Sequence, residues 1–204
     1  MAKKTIPTEY LIAEFNAIQN RAINLENLRS SRVNFLLFTT GAIIAGIGGL
    51  VQTDILLPYI KTIVLLAAGS ILTIGLLTLN YTIDDTVTLV LFWRYAARIR
   101  RYFVDESPVM EKYLPFPPYD DKPRVDSSHL ALRGSDATLL VINSLAACVA
   151  LFFFLGKVPM YTASIISICV FPVLLALQLL FMRLRFNYEE RSIKNMAIYA
   201  SPQK

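Results

Sequence analysis

The side chains best equipped for chemistry in this chain are arginines. Arg94, Arg98 and Arg101 follow one another at spacings of four and three in the stretch FWRYAARIRRYF. On a helix that spacing places all three on one face and leaves Arg100 on a different side. Phe92, Trp93, Tyr95, Tyr102 and Phe103 interleave them. Guanidinium forks grip phosphate through paired hydrogen bonds, and aromatic faces stack on bases. Arg94, Arg98 and Arg101, with Tyr95 and Tyr102, are therefore candidates for holding a phosphate-bearing ligand such as a nucleotide second messenger or a short DNA or RNA oligomer. Two other uses stay open. The cluster can anchor the chain to anionic lipid headgroups, worth about 1 kcal/mol per charge near the surface. It can also pair with the acids of residues 105–126.

Catalytic constellations are missing from the sequence. It contains no Walker A, GxSxG, HExxH or GxGxxG ahead of a helix. Carboxylates stand side by side at Asp84–Asp85, Asp120–Asp121 and Glu189–Glu190. Neighbours on a helix point about 100° apart, so such pairs seldom converge on one substrate atom; they read as surface acids or caps. His129 is the one histidine and reads as an ordinary surface residue. Cys148 and Cys169 lie in apolar runs and there is no CxxC. A structural zinc site needs about four such ligands. The expectation is no enzyme, no catalytic residue, no metal and no cofactor.

A second set of residues bears on passage through a membrane. Gly41, Ala45 and Gly49 recur every four residues, a spacing that lets helix backbones approach closely. Asn34, Thr39 and Thr40 lie beside them. These six are the candidates for pore lining or helix packing, within a subunit or between subunits. Asn143 and Gln178 lie in other apolar runs and need partners on a neighbouring helix.

The elements that carry these residues follow from hydropathy. Of 204 residues, 55% are hydrophobic and 17% are charged, against about 25% charged in soluble domains. Mean hydropathy is +0.50. The chain reads as an integral membrane protein, all-α, with four transmembrane helices near 34–51, 60–79, 139–155 and 162–182. Each run approaches the roughly 20 residues needed to cross the hydrocarbon. Pro172 is placed to kink the fourth. The N-terminus has no signal-peptide pattern. Leu11, Phe15, Ile18, Ala22 and Leu25 form a heptad-like stripe ahead of the first span. That stripe suits a helix packed on its own protein or on the membrane surface, or one that self-associates.

Lys and Arg fix the orientation. Five fall in residues 1–33, eight in 80–136 and five after Met182, while the short loops hold only Lys61 and Lys157. The positive-inside rule puts both termini and the central segment in the cytoplasm. The expected organisation is a cytoplasmic amphipathic helix (1–33), a transmembrane hairpin (34–80), a cytoplasmic Arg-rich helix and Pro-rich segment (81–136), a second hairpin (137–182) and a cytoplasmic tail (183–204). Asp84 and Asp85 suit a helix N-terminus, that of the Arg-rich helix, or a place at the inner mouth of the bilayer. Prolines 108, 115, 117, 118 and 123 make the rest an ordered wrap with one helical turn after Pro108.

In this order of elements the chain resembles small bacterial four-span membrane effectors of anti-phage systems. The stretch EFNAIQNRAINLENLRSSRVNFLLFTTGAIIAG is similar to the SLATT group of pore-forming effectors. The whole layout resembles the channel effector of Hailong-type defence. That resemblance implies an oligomeric ion channel in the bacterial inner membrane, controlled by a DNA-like oligoadenylate that a partner nucleotidyltransferase makes. The expected function is thus a homo-oligomeric pore, a tetramer, gated from the cytoplasm by a nucleotide or oligonucleotide. The alternative is a non-conducting membrane scaffold that recruits cytoplasmic partners.

Overall fold

The structure, a computed structural model, describes residues 8–52, 57–125 and 134–201. The basic segment 1–7, His129 and part of the loop after Gln52 lie outside the described residues. Every regular element among the described residues is helical. Helix α1 is Thr8–Val51, α2 is Ile60–Glu106, α3 is Ser135–Phe154 and α4 is Met160–Lys194. Short 3-10 turns, Leu57–Tyr59 and Pro108–Tyr113, flank α2. All four α-helices are long and apolar enough to cross a membrane.

The Arg-rich stretch is not a helix of its own. It is the last part of α2, and Asp84 and Asp85 lie inside that helix rather than at a start. The physical reason is local. No Gly or Pro occurs between Leu76 and Phe103, so nothing stops a helix that has already nucleated. The same holds for α1, which has no breaker from Thr8 to Thr40 and joins the amphipathic stretch to the first span. Helix α1 has 44 residues and α2 has 47, lengths of about 66 and 70 Å against a hydrocarbon core of about 30 Å. Much of each must therefore lie outside the hydrocarbon.

Helix α2 ends at Glu106. Ser107 is extended, and Pro108 opens the following turn, where its missing N–H costs nothing. Between α3 and α4 the chain turns tightly. The Leu155 N–H donates to Leu151 O at 3.0 Å and the Val158 N–H to Leu155 O at 2.8 Å. Pro172 sits inside α4, which continues through it although the Ile168 carbonyl loses its helical donor.

Two compact units emerge. One is drawn from Met1–Leu28, Asp84–Asp126 and Arg185–Lys204, the other from Arg29–Ile83 and Ser127–Leu184. In the first, Ile18 packs with Ala96 and Ile99, and Leu11, Phe15, Phe92 and Phe103 close around them. The first part of the heptad-like stripe of α1, Leu11, Phe15 and Ile18, is thus covered by α2 of the same chain. In the second unit Leu36, Leu79, Ile83, Leu139, Leu140 and Met182 are fully buried.

Candidate functional site

Three of the four clustered arginines already have acids. Arg94 is 3% exposed, and its Nη2 donates to both oxygens of Glu190 at 2.9 and 2.7 Å. Its Nε and Nη2 also donate to Pro123 O at 3.2 and 3.1 Å. The same carboxylate accepts the Val125 N–H at 3.0 Å. Arg98 Nε donates to Asp120 at 2.7 Å, and its Nη2 donates to Met196 O. Arg101 pairs with Asp105 one turn on at 2.9 Å, in a half-exposed position. Tyr95 stacks on Arg98, with the guanidinium carbon 5.3 Å from the ring centre. Tyr102 meets Phe103 edge to face at 5.6 Å.

Of the five proposed ligand residues, the structure gathers Arg94, Tyr95 and Arg98 around one small cavity with Asp120 and Met196; Arg101 and Tyr102 do not line it. That cavity holds about 90 Å³. Ligand pockets run from about 300 to 1,000 Å³, so it offers room for little more than water. The arginines here stabilise a fold of their own unit. Arg94 in particular would be left as an unpaired buried charge if Glu190 were removed.

Asp120 and Asp121 tie down the C-terminal segment. The Asp120 carboxylate, fully buried, accepts the Ile198 and Tyr199 N–H groups, each at 2.8 Å, while its own N–H donates to Tyr199 O at 3.1 Å. Asp121 accepts the Ser201 N–H at 2.9 Å and the Ser201 hydroxyl at 2.7 Å. Burial pushes the Asp120 carboxyl up, but the donors Ile198, Arg98 and Tyr199, with the Arg98 charge, hold it below the usual carboxylate value. Asp121 is likewise pushed up by burial and held below that value by Ser201 and Lys122.

In α1 the six pore or packing candidates divide. Asn34, Gly41, Ala45 and Gly49 share one exposed face, and a methyl group on Gly41 or Gly49 would meet nothing within 4 Å. Thr40 turns the other way. It lines a cavity of about 180 Å³ with Ile43, Ile47, Ala68, Ile71 and Ile142. Thr39 is half-buried on the flank between.

Asn143 and Gln178 find each other across α3 and α4. Asn143 Nδ2 donates to Gln178 Oε1 at 3.2 Å, and Gln178 Nε2 donates to Ser144 Oγ at 2.9 Å. Asn143 is fully buried, and its Oδ1 rests against Gly75 of α2, where any side chain would overlap it. Thr73 and Thr78 bond the Gly69 and Ile74 carbonyls of their own helix, each at 2.8 Å. In the same unit Arg29 pairs with Asp136, buried in the first turn of α3.

Sequence reasoning left pairing with the acids of residues 105–126 open, and Asp105 and Asp120 fill that role, but it missed Glu190 and set Arg100 aside. The one signal for Arg100 is spacing, because Trp93 and Arg100 are seven apart and share a helix face. Compared with protein-family models, curated proteins and solved structures, the chain matches none of the three.

Proposed function

We propose that this chain is the subunit of a homo-oligomeric ion channel in a bacterial plasma membrane, with both termini and the arginine-bearing unit in the cytoplasm. A phosphate-bearing ligand on that unit controls the pore. The observation that carries this reading is the exposed face of α1 formed by Asn34, Gly41, Ala45 and Gly49. Small residues in a span allow close backbone approach, and an intramembrane Asn needs a partner. Among the described residues no helix covers that face. A second copy supplies what it lacks, and four copies around an axis suit the four-span effectors that the layout resembles. A pore on that axis is also the one a four-helix subunit permits, because its own interior is filled by side chains.

The Lys and Arg distribution supports the orientation. The resemblance supports a role in anti-phage defence beside a partner nucleotidyltransferase. The scaffold alternative recruits partners through the helix of Leu11–Leu25 and the Arg-rich segment; α2 already covers the part around Phe15 and Ile18, and Arg94, Arg98 and Arg101 already hold acids. The test is reconstitution in liposomes with ion flux and oligomeric mass measured on one sample. Flux from a defined oligomer is the expected result. A monomer without flux overturns the proposal.

A further inference from the structure

Arg100 differs from its neighbours in having no acid among the described residues. Arg94, Arg98 and Arg101 are each neutralised by a carboxylate. Arg100 instead lies between two rings, its guanidinium carbon 5.5 Å from the centre of Phe15 and 5.4 Å from that of Phe116. Such contacts fix the side chain without cancelling its charge. Beside it opens a cavity of about 310 Å³, lined by Trp93, Arg100, Phe116, Pro117, Lys122 and Pro123. Trp93 and Phe116 stand 6.1 Å apart with their planes inclined at 48°. Lys122 brings a second cation to the rim and is exposed.

We infer that this cavity is a binding site for a nucleotide. Each part of the inference has its own residue. The flat rings of Trp93 and Phe116 and the faces of the two prolines suit a planar aromatic group. Arg100 and Lys122 suit a phosphate attached to it. The cavity is more than three times the size of the one beside Arg94 and Arg98, and it reaches the range of small-molecule pockets. A lipid headgroup would satisfy the cations but has no planar group to occupy the rings, which is why the nucleotide is favoured. The inference deepens the proposed function and rests on it for the ligand's role in gating, not for the pocket itself.

Trp93 is the one tryptophan of the chain, so its emission reports this pocket alone. The full-length protein in detergent is titrated with 5′-AMP, and separately with adenosine and with inorganic phosphate. AMP is expected to quench Trp93 saturably, and to bind about ten-fold more tightly than either half. Arg100→Gln should weaken AMP binding about ten-fold. Lys122→Gln, at an exposed position that does not endanger the fold, should weaken it by a smaller factor. The absence of saturable quenching by AMP overturns the inference, as does full affinity in both variants. In vesicles of phosphatidylglycerol against phosphatidylcholine, a Trp93 shift that AMP cannot displace overturns it in favour of a lipid headgroup. Ion flux is measured on the same preparation. Flux without AMP binding sinks the pocket and spares the channel, and binding from a monomer without flux does the reverse.

Discussion

Asp120 shows how one carboxylate can decide the order of a segment. It accepts three donors, from Arg98, Ile198 and Tyr199, and two of these are main-chain groups of the C-terminal stretch. Its folded value is depressed, as is that of Asp121. A depressed carboxyl contributes stability that is fully present above its unfolded value and is lost as the pH falls through the folded value. The attachment of residues 198–201 is therefore expected to be intact at neutral pH and to be lost in acid, once the pH falls below the ordinary carboxylate value of about 4. Hydrogen exchange at the Ile198, Tyr199 and Ser201 amides, corrected for the intrinsic pH dependence, measures it. Asp120→Asn should lower protection of Ile198 and Tyr199 already at neutral pH, and unchanged protection there would show that the carboxylate does not hold the segment. The same geometry changes how Arg98 is probed. Arg98→Glu sets a second carboxylate beside a buried one, so it perturbs this attachment before it reports on any ligand.

At the scale of elements, the contact of α2 with α3 turns on Gly75. Asn143 Oδ1 fills the space where a side chain at position 75 would stand. Gly75→Ala forces Asn143 out of its place and weakens its hydrogen bond to Gln178. The expected cost is about 1–3 kcal/mol, the usual size of overpacking. Gly69→Ala on the same helix meets nothing within 4 Å and should be neutral or slightly stabilising. Thermal unfolding in detergent distinguishes the two, and adding Asn143→Ala to Gly75→Ala should recover much of the loss. Equal melting of both glycine variants would mean that the close approach is not specific. These elements also mark the limits of what the residues announce by themselves. The four spans were legible because about 20 apolar residues in a row carry their own length requirement. The need of Asn143 and Gln178 for interhelical partners was legible for the same reason. Their common neighbour Gly75 was not, since a glycine in a span is ordinary until its facing side chain is known. The acids of Arg98 and Arg101 lie in the stretch 105–126 that the sequence already offered, but the acid of Arg94 was not legible. Arg94 and Glu190 are 96 positions apart, and only the pairing of α2 with α4 brings them together. The break expected at Asp84 and Asp85 failed because acids suit a helix start without enforcing one, whereas Gly or Pro would have.

For the whole molecule, the proposed oligomer requires a surface of α1 that is free to face another copy. Packing inside the chain consumes Leu36, fully buried, and turns Thr40 toward a cavity within its own unit. Much of the span remains outward, Phe35, Leu37 and Ile44 included, and one face of it carries Asn34, Phe38, Gly41, Ala45 and Gly49. Phe38 is 76% exposed and would stand in lipid if the subunit worked alone. Lipid tails do not discriminate between glycine and leucine on a helix surface as a facing helix does, because a facing backbone can approach only where side chains are small. Gly41→Leu therefore separates the two situations. The subunit itself has room for the added side chain, since nothing lies within 4 Å. In a lone subunit the substitution should leave both melting and mass unchanged. In an oligomer built on this face it inserts a bulky group into every interface, at about 1–3 kcal/mol each. The expected outcome is a protein that melts like the parent but sediments as a smaller species and no longer carries ion flux. A Gly41→Leu protein with parental mass and flux would move the subunit contact to another helix. The exposed face of α4 around Ile168 and Val173 would then be next to test.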